Sequence, residues 1–210
     1  MIAENVKNLP RQIRGSMATS ALIAICVIEF LANIVYAIMH HFGQIGLSEI
    51  NQIAILLLPL VNLILLAMWL YLSNKNLPIL GAFKNELRYT PGDAAASLFL
   101  PIYNITTPYK VAVEIWERSD TILVGSGDEP TNSYGESNVF ILAWWIAYLC
   151  SIFILAIDNL NPLFSVCARI IALALTVRLV WRFYNLQRQR LERMRRGEIT
   201  TLETLRATRG

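Results

Sequence analysis

Four long apolar runs divide this chain, at residues 20–39, 53–72, 139–157 and 163–180. Each approaches or exceeds the roughly 20 residues that carry a helix across a hydrocarbon core of about 30 Å. The pattern predicts four transmembrane helices. The first run is longer than the apolar part of a signal peptide, and no small-residue cleavage site follows it before His40, His41 and Phe42, so it reads as a retained helix.

Between the second and third runs the pattern changes. Residues 73–89 read as an exit from the second span followed by a connector, because Pro78 and Gly81 punctuate them and charges return. "TPGD" at 90–93 suits a turn, with proline second and glycine third. After it comes a stretch of about a dozen apolar residues, too short to span, as expected of a re-entrant or interfacial half-helix at 93–103. Pro101 would cost a continuous helix about 3 kcal/mol. Thr107 followed by Pro108 then reads as a helix start, with Thr107 as cap. The break at Pro101, Asn104, Pro108 and Tyr109 thus separates the half-helix from a second one at 108–120. That second helix is amphipathic, with Tyr109, Ala112, Val113 and Trp116 on one side and Lys110, Glu114, Glu117 and Arg118 on the other. "GSGDEPTNSYGES" at 125–137 has a linker's composition. The fourth run continues into a basic helix, "WRFYNLQRQRLERMRR", and "TTLE" at 200–203 matches a capping box.

Composition agrees with this layout, since 55% of the chain is hydrophobic and only 16% charged. The division expected is a lead at 1–19, a four-span domain at 20–184 with an insertion at 73–138, and a basic tail at 185–210. Lys and Arg precede span one, lie between spans two and three, and follow span four, while the loops "HHFGQIGLSEIN" and "DNLNP" have none. The bias predicts both termini in the cytoplasm. From Arg182 onward there are eight Arg against three Glu, about +5 of a net +3, so the rest sums to about −2. Such a tail suits anionic lipid, at about 1 kcal/mol per basic residue near the surface. Trp116, Arg188, Arg190, Arg193, Arg195 and Arg196 are the candidates for a lipid or partner surface. No aromatic-basic pattern suggests nucleic acid, and Cys26, Cys150 and Cys167 have no metal-site or disulfide spacing.

Residues 69–120 resemble the central signature of the DUF4328 family of bacterial membrane proteins. The likeness is carried by Trp69, Asn76, Leu80-Gly81, Tyr89-Thr90-Pro91-Gly92, Pro101, Asn104, Pro108-Tyr109, Glu114, Trp116, Ser119 and, in the next span, Trp144-Trp145. The resemblance implies a bacterial inner-membrane protein and no particular activity.

The candidate chemistry lies within the spans. Glu29 and Asn33 share one face near the centre of span one, where a carboxylate costs from about 2.5 kcal/mol upward. Arg169, about 9 Å below the outer end of span four, is its candidate partner, and Asn62 a second one. Such a site fits either a structural pair or a relay for a proton or cation. Arg178 and Arg182 read as snorkelling anchors. No nucleophile elbow, metalloprotease motif or phosphate loop is present, so no cofactor, metal or catalytic residue is expected. The sequence therefore favours a structural or accessory inner-membrane protein that assembles with itself or with a larger complex. The alternative is a small channel or transporter subunit using Glu29, Asn33, Asn62 and the Pro101–Pro108 break. An enzyme on lipid-linked substrates, with polar groups gathered around Asn104 and Arg88, ranks third.

Overall fold

Backbone N–H and C=O groups surrounded by hydrocarbon must find partners within the protein, and a helix supplies them within a single segment. The apolar runs accordingly lie in the longest helices. A computed structural model describes residues 13–42, 48–82, 87–99, 105–119, 133–155 and 162–196. The described residues form six α-helices: α1 (Ser16–His41), α2 (Ser48–Asn76), α3 (Pro91–Ala96), α4 (Thr107–Ser119), α5 (Ser133–Leu155) and α6 (Pro162–Arg195). No strand occurs among the described residues.

The chain is an all-α membrane protein. The segments Ser16–Met39, Leu57–Asn76 and Leu163–Arg195 are long and apolar enough to cross a membrane, and Asn138–Ile154 forms a shorter apolar helix. Many of their large apolar side chains point outward, including Ile28, Leu31, Val35 and Ile38 on α1 and Ile64, Ile146 and Ile171 on the others. Water would not tolerate so much contiguous apolar surface; lipid does. Pro59 lies inside α2 without ending it.

The helices form two hairpins, α1/α2 and α5/α6, joined where α1 packs on α6. α3 packs against α2, whereas α4 contacts α5, α6 and α2, so the inserted helices lie against both hairpins. This occurs at the end of the bundle where α1 and α5 begin and α2 and α6 end, called here the basic end. Phe183 is the centre of the packing there. Its ring lies 5.5 Å from the centroids of both Trp69 on α2 and Trp116 on α4, and all three are buried.

Local sequence explains how the chain leaves α2 and enters α3. One further turn follows α2, and Gly81 closes it with φ +88°. The N–H of Ala82 donates to Leu77 O at 3.0 Å and that of Gly81 to Pro78 O at 3.2 Å, which is a Schellman cap. Residues 90–93 are not the free turn that the sequence suggests but the start of α3. Thr90 caps it, its Oγ1 accepting from the Asp93 N–H at 3.2 Å while its own N–H donates to Asp93 Oδ2 at 3.0 Å. The Thr90 hydroxyl also donates to Oδ2, and these bonds hold the Asp93 carboxyl below its ordinary 3.8. Proline second and glycine third suit a first helical turn as well as a β-turn, and the acidic fourth residue makes the difference.

Two other expectations shift. Residues 133–137 belong to α5 rather than to a linker. α4 begins at Thr107, so this residue is in the helix rather than ahead of it. Ala94 and Ser97 are buried within the chain, on a segment that packs on α2. Pro101, Asn104, the half-helix beyond Phe99, the stretch 125–132 and the capping box at 200–203 lie outside the described residues.

Gly81→Ala should lower stability by about 1–2 kcal/mol, because a Cβ opposes the left-handed conformation even where space is open. Gly92→Ala, whose φ is not positive and whose new Cβ would meet only Thr90 Oγ1 at 3.7 Å, should be neutral or slightly stabilising. Unfolding of both variants in detergent micelles tests the contrast.

Candidate functional site

Glu29 lies on α1, 13 residues and thus about 20 Å along the helix from Ser16, and 10 residues or about 15 Å from Met39. It is 1% exposed, and both its oxygens are occupied. Oε1 accepts from Arg169 Nε at 2.6 Å and pairs with Nη2 at 2.5 Å, a fork from α6. Oε2 accepts from Asn62 Nδ2 of α2 at 2.7 Å. One carboxylate thus ties three helices, including the contact that joins the two hairpins.

The partners are themselves held. Arg169 Nη1 reaches Ser151 Oγ of α5 at 3.4 Å, a long bond, and Ser151 Oγ donates to Tyr148 O at 2.7 Å. Asn62 Nδ2 also lies 3.5 Å from Cys26 Sγ. An unpaired charge at this depth would be severely penalised; two guanidinium donors on one carboxylate oxygen and the Asn62 amide on the other offset that cost. Asn33 does not join the cluster. Its Nδ2 donates to the Glu29 backbone O at 2.7 Å, one turn back on the same helix. An i,i+4 spacing puts the two residues on one face, yet Asn33 is short and satisfies itself locally before it can reach the carboxylate.

A second polar cluster lies at the basic end. Asn76 Nδ2 donates to Arg14 O at 2.8 Å and to Gln187 Oε1 at 3.0 Å, while Asn76 Oδ1 accepts from the Arg14 N–H at 3.1 Å. Gln187 Nε2 donates to Ser73 O at 3.1 Å and Ser119 Oγ at 3.2 Å. Arg190 Nε donates to Leu80 O at 2.8 Å and its Nη1 to Arg118 O at 2.7 Å. These side chains connect α6 to α2, α4 and the segment before α1, and they absorb the carbonyls left open where helices end.

Three residues therefore have places the sequence pattern does not suggest. Arg190 is 3% exposed and Trp116 4%, so neither belongs to a lipid or partner surface. Glu114, expected on the polar face of α4, is buried and accepts from the Arg88 N–H at 2.6 Å, with Oε2 unpartnered. The cause is common to all three: α4 and the last turns of α6 pack on each other and on α2 rather than lying on a membrane surface. Arg188 and Arg193 are exposed as expected, Arg188 pairing with Glu192 at 2.9 Å, while Arg195 ends α6 and Arg196 follows it. Pro108 is buried at the start of α4, with Tyr109 half-buried beside it. His40 and His41 fall at the end of α1. Among the described residues no group of three metal-ligating side chains occurs.

Gln187 was legible only in hindsight, through a seam at helical spacing. Leu179, Phe183, Gln187, Arg190, Leu191 and Met194 form one buried stripe, masked in the sequence by the charges interleaved with it.

Asn62→Ala should cost about 1–3 kcal/mol, since it leaves Glu29 Oε2 buried without a donor. Ser151→Ala should cost under about 1 kcal/mol, because it removes the long bond to Arg169 and a local bond to Tyr148 O, a carbonyl of its own helix. Thermal unfolding in micelles should rank the two in that order.

The residues that carry the family likeness gather in this architecture. Asn76 and Ser119 belong to the second cluster, Trp69 and Trp116 pack on Phe183, Gly81 and Thr90 cap the connector, and Trp145 Nε1 donates to Ile105 O at 2.7 Å. Comparison with curated proteins and with solved structures finds no match. A family model, the domain of unknown function DUF4328, matches residues 43–202, from just after α1 to beyond the end of α6. The chain belongs to the DUF4328 family.

Proposed function

We propose that the protein is a structural or accessory component of the bacterial inner membrane, both termini in the cytoplasm, assembling with copies of itself or within a larger membrane complex. The observation that supports this reading best is the closure of Glu29. A carboxylate that passes a proton or cation must trade its protein partners for water or an ion during each cycle. Both oxygens of Glu29 instead face donors from two other helices, and the residue is almost fully buried. Asn33, needed for a polar path, donates to its own helix. The side chains capable of chemistry thus hold the bundle together and leave its cytoplasmic end as a rigid platform.

The orientation follows from the basic residues at the end where α2 and α6 finish. On that platform the exposed Arg188 and Arg193 put positive charge where anionic lipid or an acidic surface of a partner subunit would meet it.

Native mass spectrometry of the complex, purified gently from its own membrane, tests this reading. The expected result is recovery with further copies or with other membrane subunits, and no solute or ion flux that depends on Glu29 after reconstitution. A lone monomer would overturn it, and a flux that Glu29→Gln abolishes while assembly persists would overturn it in favour of the channel.

A further inference from the structure

Arg178 and Arg182 sit one turn apart on α6 and lie in neither polar cluster. Each guanidinium is fixed by an aromatic ring from another helix: Arg178 lies 5.4 Å from the Phe140 centroid of α5, and Arg182 4.7 Å from the Trp116 centroid of α4. Cation–π attraction holds each head group beside its ring and leaves N–H donors open. Both residues are exposed, and neither donates to a carboxylate or carbonyl among the described residues. Between them Trp181 is 60% exposed.

Their depth points to the occupant. The apolar part of α6 begins at Leu163, and Arg178 and Arg182 follow 15 and 19 residues later, about 22 and 28 Å along the axis. A hydrocarbon core of about 30 Å ends there, where phosphates of the lipid head groups begin and exposed tryptophans settle. Arg188 and Arg193 lie about 37 and 45 Å along, past that border. We infer that Arg178 and Arg182, pre-positioned by Phe140 and Trp116, form a clamp for the phosphate of an anionic phospholipid at the basic end of the bundle. Two guanidinium forks match phosphate oxygens in charge and geometry, and Trp181 packs beside the glycerol region of the same lipid. A zwitterionic lipid presents the same phosphate with a competing ammonium, so the clamp discriminates by net charge.

The test is native mass spectrometry of the full chain in detergent, titrated in turn with phosphatidylglycerol, phosphatidylcholine and inorganic phosphate. The expected result is retention of phosphatidylglycerol at least tenfold above phosphatidylcholine, without displacement by millimolar phosphate. Arg178→Gln with Arg182→Gln should abolish the preference. Should the first pair fail to fold, Arg178→Gln alone, which leaves the Arg182–Trp116 contact in place, should reduce retention several-fold. Equal retention of both lipids by the wild type, full retention by the Arg178 variant, or displacement by inorganic phosphate would overturn the inference.

Discussion

The Glu29–Arg169 pair is the constraint on which the transmembrane arrangement depends. In lipid, one apolar helix gains nothing hydrophobic by leaving hydrocarbon for another apolar helix, so the partner and register of a helix must be set by packing and polar contacts. α1 shows the problem plainly. It is apolar nearly all round, packs on α2 and α6, and has outward-facing Ile28, Leu31, Val35 and Ile38. What singles out one rotation of α1 is a carboxylate whose two oxygens meet donors on α2 and α6. The same geometry explains why a costly charge can exist at mid-depth: it is never exposed to hydrocarbon without its counter-charge.

The basic end repeats that logic in a different setting. Here helices stop, and their last carbonyls require donors. Gln187 and Arg190 on α6 supply them to Ser73, Leu80 and Arg118, while Phe183 gathers Trp69 and Trp116 around one ring. α6 is therefore both a membrane helix and the post on which the insertion is mounted. Its 34 residues, about 51 Å of helix, exceed what a bilayer core needs, and the surplus does this mounting. The arrangement gives Trp69, Asn76, Trp116 and Ser119 of the family signature one role, the docking of α4 onto the bundle.

Much of this was legible in the sequence, for identifiable reasons. The four long helices follow from apolar runs whose length leaves little choice, and Arg169 stands out as a partner for Glu29 because two opposite charges within such runs demand each other. What the sequence hid are places where a polar residue is buried. Glu114 and Arg190 look like surface residues by type, and only the connector between α2 and α3, which supplies the Arg88 N–H to one and the Leu80 carbonyl to the other, shows otherwise. Asn33 erred in the opposite direction, since spacing placed it beside Glu29 while its short side chain turned back to a carbonyl of its own helix. The first turn of α3 resembles a β-turn in sequence because both share Pro-Gly, and what separates them is the pair of bonds between Thr90 and Asp93.

If Glu29 and Arg169 set the register of α1 through each other, their energies must be coupled. A double-mutant cycle with Glu29→Gln, Arg169→Gln and the pair, followed by unfolding in lipid-like micelles, measures this directly. Each single change leaves a buried group uncompensated and should cost about 3–5 kcal/mol, while the double variant should cost clearly less than the sum of the two. Additive losses would contradict the account, since they would mean that the two side chains stabilise the bundle independently of their contact.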